Sequence, residues 1–203
     1  MFHEVNRQFE AENGKKFNKV LGYGLLLLIV TSAIILYSFR YEIRLFFLLH
    51  NKKFDTEIAV AAKKNNIDPL LIKAVIIKES KFNKNCIGGV GEIGLMQVRP
   101  EFAAKDWSDR KKLPPLSKGQ LAIPEINIEV GSWYLATRLK KWQKYDKSLE
   151  LALCEYNAGI KRANQWKPAT FDGEVIQNIN IKSTKKYVQD IMSYYQKLKE
   201  MED

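Results

Sequence analysis

The chain has 203 residues, 46% of them apolar and 28% charged, with a net charge of +10. That composition provides for a packed core and excludes wholesale disorder. The lysines are spread along helical stretches instead of forming one run, and no nucleic-acid motif accompanies them, so specific nucleic-acid binding is set aside in favour of solvated surface or a polyanionic surface as the partner of the positive charge.

The first element is VLGYGLLLLIVTSAIILYSF, 20 residues between Lys19 and Arg40 without a charge. At about 1.5 Å per residue a helix of that length spans roughly 30 Å, the thickness of a bilayer's hydrocarbon core. The run is longer than a signal-peptide core, no small-x-small cleavage site follows it, and no cysteine stands just after it. It therefore predicts one transmembrane helix over residues 20–39. The flanking charges do not orient it: Arg7, Lys15, Lys16 and Lys19 precede it and Arg40, Arg44, Lys52 and Lys53 follow. Residues 40–54 contain LFFLLH, too short to cross again, which either continues the helix or lies at the interface.

From residue 55 the pattern is helical. Thr56–Asn65 presents Ile58, Ala61 and Ala62 on one side, and Asp68-Pro69 is a start signal, Asp as N-cap and Pro in the first turn. The helix that follows carries Leu71, Val75 and Glu79 on one face. Asn83–Gly94 and Leu113–Gly119 are expected as loops, Glu125–Lys144 and Leu149–Asn157 as helices, with Gly159 closing the second. Ser183 is expected to cap a last helix with Tyr187, Val188, Ile191, Tyr195 and Leu198 turned inward. No strand run appears. The expected fold is mainly α: a helical domain over residues 55–203, a linker over 40–54, the transmembrane helix over 20–39 and a short N-terminus over 1–19.

Glu79 is the candidate for chemistry. A carboxyl on a face otherwise made of Leu and Val is partly desolvated, which raises its pKa towards the value a general acid needs. Spacing alone also allows a plainer arrangement, in which Glu79 sits at the polar edge of its helix paired with Lys78 or Lys81. Cys86 and Cys154 form no CxxC pair; they are either one disulfide or two buried thiols. His3 and His50 are the only histidines, and no set of residues has metal-ligand spacing, so neither metal nor cofactor is expected.

The context of Glu79 narrows these alternatives. ESKFNKNCIGGVGEIGLMQVRP (Glu79–Pro100) resembles the first signature of the soluble lytic transglycosylase family, whose catalytic domain is goose-lysozyme-like. IPEINIEVGSWYL (Ile123–Leu135) resembles the second, with Asn127, Ile128, Gly131, Tyr134 and Leu135 in register; ALCEYNAG (Ala152–Gly159) matches the third; INIKSTKKYV (Ile179–Val188) resembles the fourth more weakly, through Thr184, Tyr187 and Val188. The four come in the family's order. The resemblance implies a lysozyme-like domain that cleaves peptidoglycan glycan strands at the MurNAc-GlcNAc bond and leaves 1,6-anhydro-MurNAc. It implies Glu79 as the single acid/base, Ser80, Met96, Gln97, Tyr156, Asn157 and Tyr187 as substrate-binding residues, and Gly91 and Gly94 as loop glycines. With a wall substrate, the domain is expected outside the cytoplasmic membrane and residues 1–19 inside.

Three departures stand out. Gly88 replaces a Ser common nine residues after the catalytic Glu, Ser183 replaces an acidic residue, and Asn180-Ile181 replaces a Pro-Phe pair. They leave room for two other outcomes: a hydrolytic muramidase on the same fold, or a weakly active or inactive glycan-binding component of an envelope-spanning machine.

Overall fold

The computed structural model describes residues 2–202, with side chains from Lys19 onward and for Glu4. Met1 and Asp203 lie outside the described residues, as do the side chains of His3, Arg7, Lys15 and Lys16. The chain divides into two compact units, Met1–Phe47 and Leu48–Asp203.

The described residues of the first unit lie within helix α1, Phe2–Leu49. Residues 40–49 are therefore helical, the first of the two alternatives open for that stretch, and the apolar pattern continues through Leu45 to Leu49. The stretch Lys19–Leu49 is long and apolar enough to cross a membrane. The side chains from Val20 to Phe39 are exposed, leaving their apolar surface without protein cover.

The second unit is all helical: α2 (Asp55–Asn65), α3 (Pro69–Glu79), α4 (Lys105–Lys111), α5 (Lys118–Leu121), α6 (Pro124–Trp142), α7 (Ser148–Ala158), α8 (Ile160–Trp166) and α9 (Lys182–Glu200). Only isolated bridges, Ile87 with Ile93 and Ile93 with Val98, interrupt the helical pattern among the described residues. Asp68 caps α3 as its sequence predicts, accepting from the Leu70 N–H at 2.8 Å. Leu71, Ile72, Ala74, Val75, Ile76 and Ile77 are all buried, so α3 is covered nearly all round, as a central helix must be.

Helix α3 packs on α9, α6 packs on α7 and on α2, and α7 also meets α8 and α9. Ile72, Ile76 and Ile77 of α3 share the core with Ile128 and Leu135 of α6, Leu151 and Leu153 of α7, and Ile191 of α9. Lys78 Nζ lies 2.7 Å from Asp190 Oδ2 and ties the end of α3 to α9. Of the residues expected inward on α9, Tyr187, Val188, Ile191 and Leu198 are buried, while Tyr195 is half-buried and donates to Asp68 Oδ2 at 2.6 Å.

Some local expectations change. Ser183 does not cap α9: Ile181 holds that position without a side-chain bond, and Ser183 lies exposed in the first turn. The expected loop Leu113–Gly119 ends in α5, started by a Ser117–Gln120 capping box. A π-helical turn (Pro100–Ala104) and the short helices α4 and α8 have too few turns to show a period in sequence. Cys86 and Cys154 are free thiols; Cys154 is buried in α7, and burial, with a smaller push from Glu150, raises its thiol to about 12.

Candidate active site

Glu79 ends α3 and Tyr187 lies one turn into α9, so the α3–α9 contact sets them side by side. The Tyr187 hydroxyl donates to Glu79 Oε1 at 2.6 Å. The pairing with Lys78 or Lys81 that spacing allowed is not formed: Lys78 is bonded to Asp190, and Lys81 is exposed. Burial raises the Glu79 carboxyl from 4.5 to about 7; the Tyr187 bond and the Lys78 charge pull it down, and the Glu92 carboxylate pushes it up. Desolvation wins because, among the described residues, Glu79 has one neutral donor and no contacting cation. Tyr187 and Tyr156 are pushed well above their usual range, chiefly by burial and next by the Glu79 charge, so both phenols stay protonated donors.

Tyr156 lies near the end of α7. Its hydroxyl donates to the Met96 carbonyl at 2.8 Å, and its ring meets Tyr134 edge-on at 5.7 Å between centroids. Met96 is placed in the interior. Expected as a cleft side chain, it is 0% exposed and lies against Gly131 of α6, where an added Cβ would come within 2.7 Å of its sulfur. Its contribution to the site is a backbone carbonyl. Ser80, implied as a substrate-binding residue, is buried as the C-cap of α3, with its hydroxyl donating to the Ile76 carbonyl at 3.3 Å.

Gln97 takes a left-handed backbone (φ 48°), and its Nε2 donates to the carbonyls of Gly94 (2.8 Å) and Cys86 (3.1 Å). The amide is therefore a brace across its own loop. Asn157 is exposed, with its Oδ1 accepting from buried Thr184 of α9 at 2.9 Å. Gly91 has φ 92° and Gly94 φ 79°; at Gly94 a Cβ would also lie 2.5 Å from Asn127 Nδ2, so both backbone and space demand glycine there.

Asn127 is the residue whose role the sequence left open. Fully buried on α6, it accepts from the Met96 N–H at 2.8 Å and donates to the carbonyls of Ile93 and Leu121, both at 2.8 Å. A buried amide with every contact satisfied holds the loop Ile93–Gln97 against α6. Glu92 was missed as well. A Cβ on Gly88 would meet Glu92 Oε2 at 2.2 Å and Gln97 Oε1 at 2.7 Å, so these two acceptors fill the space left by the missing side chain. Asn180, one of the departures, accepts from the Trp166 indole at 3.1 Å and fastens α8.

Among the described residues no three His, Cys, Asp or Glu side chains converge to hold a metal. The arrangement can store one proton on a carboxyl poised near neutrality and present it beside two phenols and an exposed amide.

The model of the transglycosylase SLT domain family matches residues 57–180. The chain belongs to this family. Among relatives of the SLT domain, the transglycosylase of Enterobacteria phage PRD1 is 31% identical over 126 residues, 61% of this chain and 42% of that protein. The membrane-bound lytic murein transglycosylase C of Serratia proteamaculans is 36% identical over 85 residues, 41% of this chain and 24% of the relative. The chain thus spans less than half the length of these curated relatives. Among solved structures, an inactive Glu-to-Gln mutant of the lytic transglycosylase Slt of Pseudomonas aeruginosa superposes with a TM-score of 0.64 at 29% identity, over 74% of this chain and 24% of that one. The 70-kDa soluble lytic transglycosylase of Escherichia coli shares the fold, with a TM-score of 0.64 at 23% identity over 74% of this chain and 25% of that one. The SLT domain here is a lysozyme-like helical fold.

Proposed function

We propose that the chain is a membrane-anchored lytic transglycosylase that cleaves the MurNAc-GlcNAc β-1,4 bond of peptidoglycan with Glu79 as its only acid/base. The observation that carries this reading is the Glu79 carboxyl, raised to about 7 and donated to by Tyr187. An acid of that pKa is half protonated near neutrality, where proton transfer in both directions is effective. Support also comes from the membrane-bound murein transglycosylase among the relatives and from the structural neighbour inactivated by a Glu-to-Gln change.

In the proposed sequence Glu79 gives its proton to the glycosidic oxygen as the C1–O bond breaks. The N-acetyl oxygen of the same sugar meets the charge at C1, as in other substrate-assisted glycosidases. Glu79, now anionic, takes the proton of the 6-hydroxyl while O6 bonds to C1. The ring closes, the carboxyl is again protonated, and no water is consumed. Holding nucleophile and electrophile in one sugar gives the step its effective concentration. Gln97, Tyr156, Asn157 and Tyr187 are proposed to line the strand; Met96 and Ser80 contribute through backbone and helix end. The proposed topology keeps residues 1–19 in the cytoplasm, residues 20–39 in the membrane, residues 40–54 as the connection and residues 55–203 outside.

Digestion of purified peptidoglycan by the full chain in detergent tests the reading. Anhydro ends are lighter than hydrolysed ends by one water, and mass spectrometry separates them. Release of anhydro fragments, lost in Glu79→Gln, is the expected result. A second reading has one observation behind it: the Glu92 carboxylate acts on Glu79, and two carboxylates permit activation of water. Hydrated ends would establish that hydrolytic alternative. A reporter fused after Asp203 that is active in the cytoplasm would reject the topology.

A further inference from the structure

A cavity of about 530 Å3 opens between α2, α4 and α6 and shares no lining residue with the site around Glu79. Its apolar wall is made by Val60, Ala61, Ile126 and the indole of Trp107. Val60 is 63% exposed, so this wall stands open to solvent. Three carboxylates, Glu57, Glu125 and Glu129, surround it against one cation, Lys64. In a chain of net charge +10 that is a local reversal of sign. Glu129 is already engaged, with Lys64 Nζ at 2.9 Å and Lys111 Nζ at 3.5 Å. Glu57 is half-buried and Glu125 exposed, and neither takes part in an ion pair among the described residues. Trp107 is only 8% exposed, and its Nε1 is buried with no hydrogen-bond partner.

An indole N–H is a donor only, and a buried donor without an acceptor marks a bond that something outside the chain completes. An occupant that satisfies this cavity supplies an acceptor, an apolar stem and a cation. A metal ion has neither of the first two, and no three His, Cys, Asp or Glu side chains among the described residues converge to hold one. A neutral sugar lacks the cation, and a simple polyamine lacks the acceptor. A peptide has all three: its backbone carbonyls accept, and a Lys or Arg side chain lays its apolar stem on a hydrophobic wall while the charged head reaches a carboxylate. We propose that this cavity is a docking site for a segment of a partner protein, in which a Lys or Arg side chain reaches Glu57 and Glu125 and a main-chain carbonyl accepts from Trp107. Complementary charge selects such a partner and speeds the encounter. On α6 the neighbouring Asn127 turns instead to the loop Ile93–Gln97, so the cavity and the Glu79 site use different faces of the helix. The docking site serves recruitment and does not depend on what Glu79 cleaves.

The test selects binders to the full chain in detergent from a library of random short peptides, then measures the enriched peptides by fluorescence anisotropy. The expected consensus is a Lys or Arg beside an apolar residue. Glu57→Gln combined with Glu125→Gln should weaken those peptides about tenfold, the size of one charge-assisted bond, and added salt should weaken them further. Neither carboxylate is buried, so the double variant should keep its helicity by circular dichroism and release peptidoglycan fragments as the wild type does. Glu202→Gln, the same loss of charge at an exposed position beyond α9, should leave binding unchanged. The Trp107 indole N–H resonance should shift as peptide is added. A library that yields no binder, a consensus of acidic or uncharged peptides, binding that survives the double variant or falls equally in Glu202→Gln, or a Trp107 resonance that stays in place overturns the proposal. So does spermidine that displaces the peptides at equal affinity, which assigns the cavity to free amines. A dimer of the chain that dissociates in the double variant assigns it to self-association and overturns the proposal as well.

Discussion

Glu155 near the end of α7 is fully buried and Glu79 at the end of α3 is half-buried, and their surroundings are built differently. Around Glu155, whose side chain is 0% exposed, two cations and an indole N–H fill the oxygen lone pairs. Around Glu79, among the described residues, the nearby cation Lys78 is bonded to Asp190 instead, and one phenol donates. The first arrangement holds α6 to α7 and keeps the neighbouring Tyr156 in place. The second leaves a carboxyl that is uncomfortable as an anion and therefore ready to hold a proton. Both lose water; the donor set leaves one carboxyl fully bonded and the other short of partners, which is why Glu79 is the one proposed for chemistry.

Four substitutions would break or sharpen that contrast. The largest effect is expected from Glu79→Gln, which should lower fragment release by at least about a hundredfold, the scale of a lost general acid, with helicity by circular dichroism unchanged. The same variant should gain stability at high pH. The folded pKa of Glu79 is about 7 against an ordinary 4.5, so the wild type loses stability as pH rises from 4.5 through 7 and is level above. Gln carries no such penalty, and by linkage its advantage at pH 8 over pH 4 has a ceiling of about 3 kcal/mol, read from urea unfolding at the two pH values. An advantage at pH 4 that equals the one at pH 8 would contradict the buried-acid account.

Glu155→Ala should cost about 3–5 kcal/mol by urea unfolding, because it strands Arg138 and Lys141 at a buried seam. Here the loss is of fold first and of activity only as a consequence. Tyr187→Phe should reduce activity only several-fold, about the worth of one hydrogen bond. It removes a bond that favours the Glu79 anion, so the alkaline limb of the activity profile should move to higher pH. The smallest effect is expected from Gly88→Ser, about 1 kcal/mol, since the closest crowded atoms, Glu92 Oε2 and Gln97 Oε1, are the ends of side chains that can shift, at some cost to the Gln97 brace. Swinging the Glu92 carboxylate away from Glu79 removes a charge that raises its pKa, and the alkaline limb should move to lower pH. Limbs that shift in the same direction in these two variants would show that Tyr187 and Glu92 do not act on Glu79 in the opposing senses assigned to them.

Much of this was legible in the chain because it depends on neighbours in sequence. The charge-free run from Val20 to Phe39, the Asp68-Pro69 helix start, the 3.6-residue placement of Glu79 under Leu71 and Val75, and the glycines at 91 and 94 are all local. Short elements were not: α4, α5 and α8 span too few turns for a period to emerge, and Ser183 looked like a cap although the chain enters α9 through Ile181.

Sequence by itself determined the helical class and the apolar N-terminal helix, since spacing and residue chemistry are written along one strand of covalent bonds; the choice of Glu79 as candidate acid rests on the motifs around it that resemble the family's. Tertiary structure alone decided that Tyr187 reaches Glu79 across 108 positions, that Lys78 turns to Asp190, that Met96 is core, and that Asn127 binds the loop Ile93–Gln97 to α6. The reason is that a pKa and a hydrogen-bond partner belong to the space around a group, and that space is made when α3 and α9 close on each other.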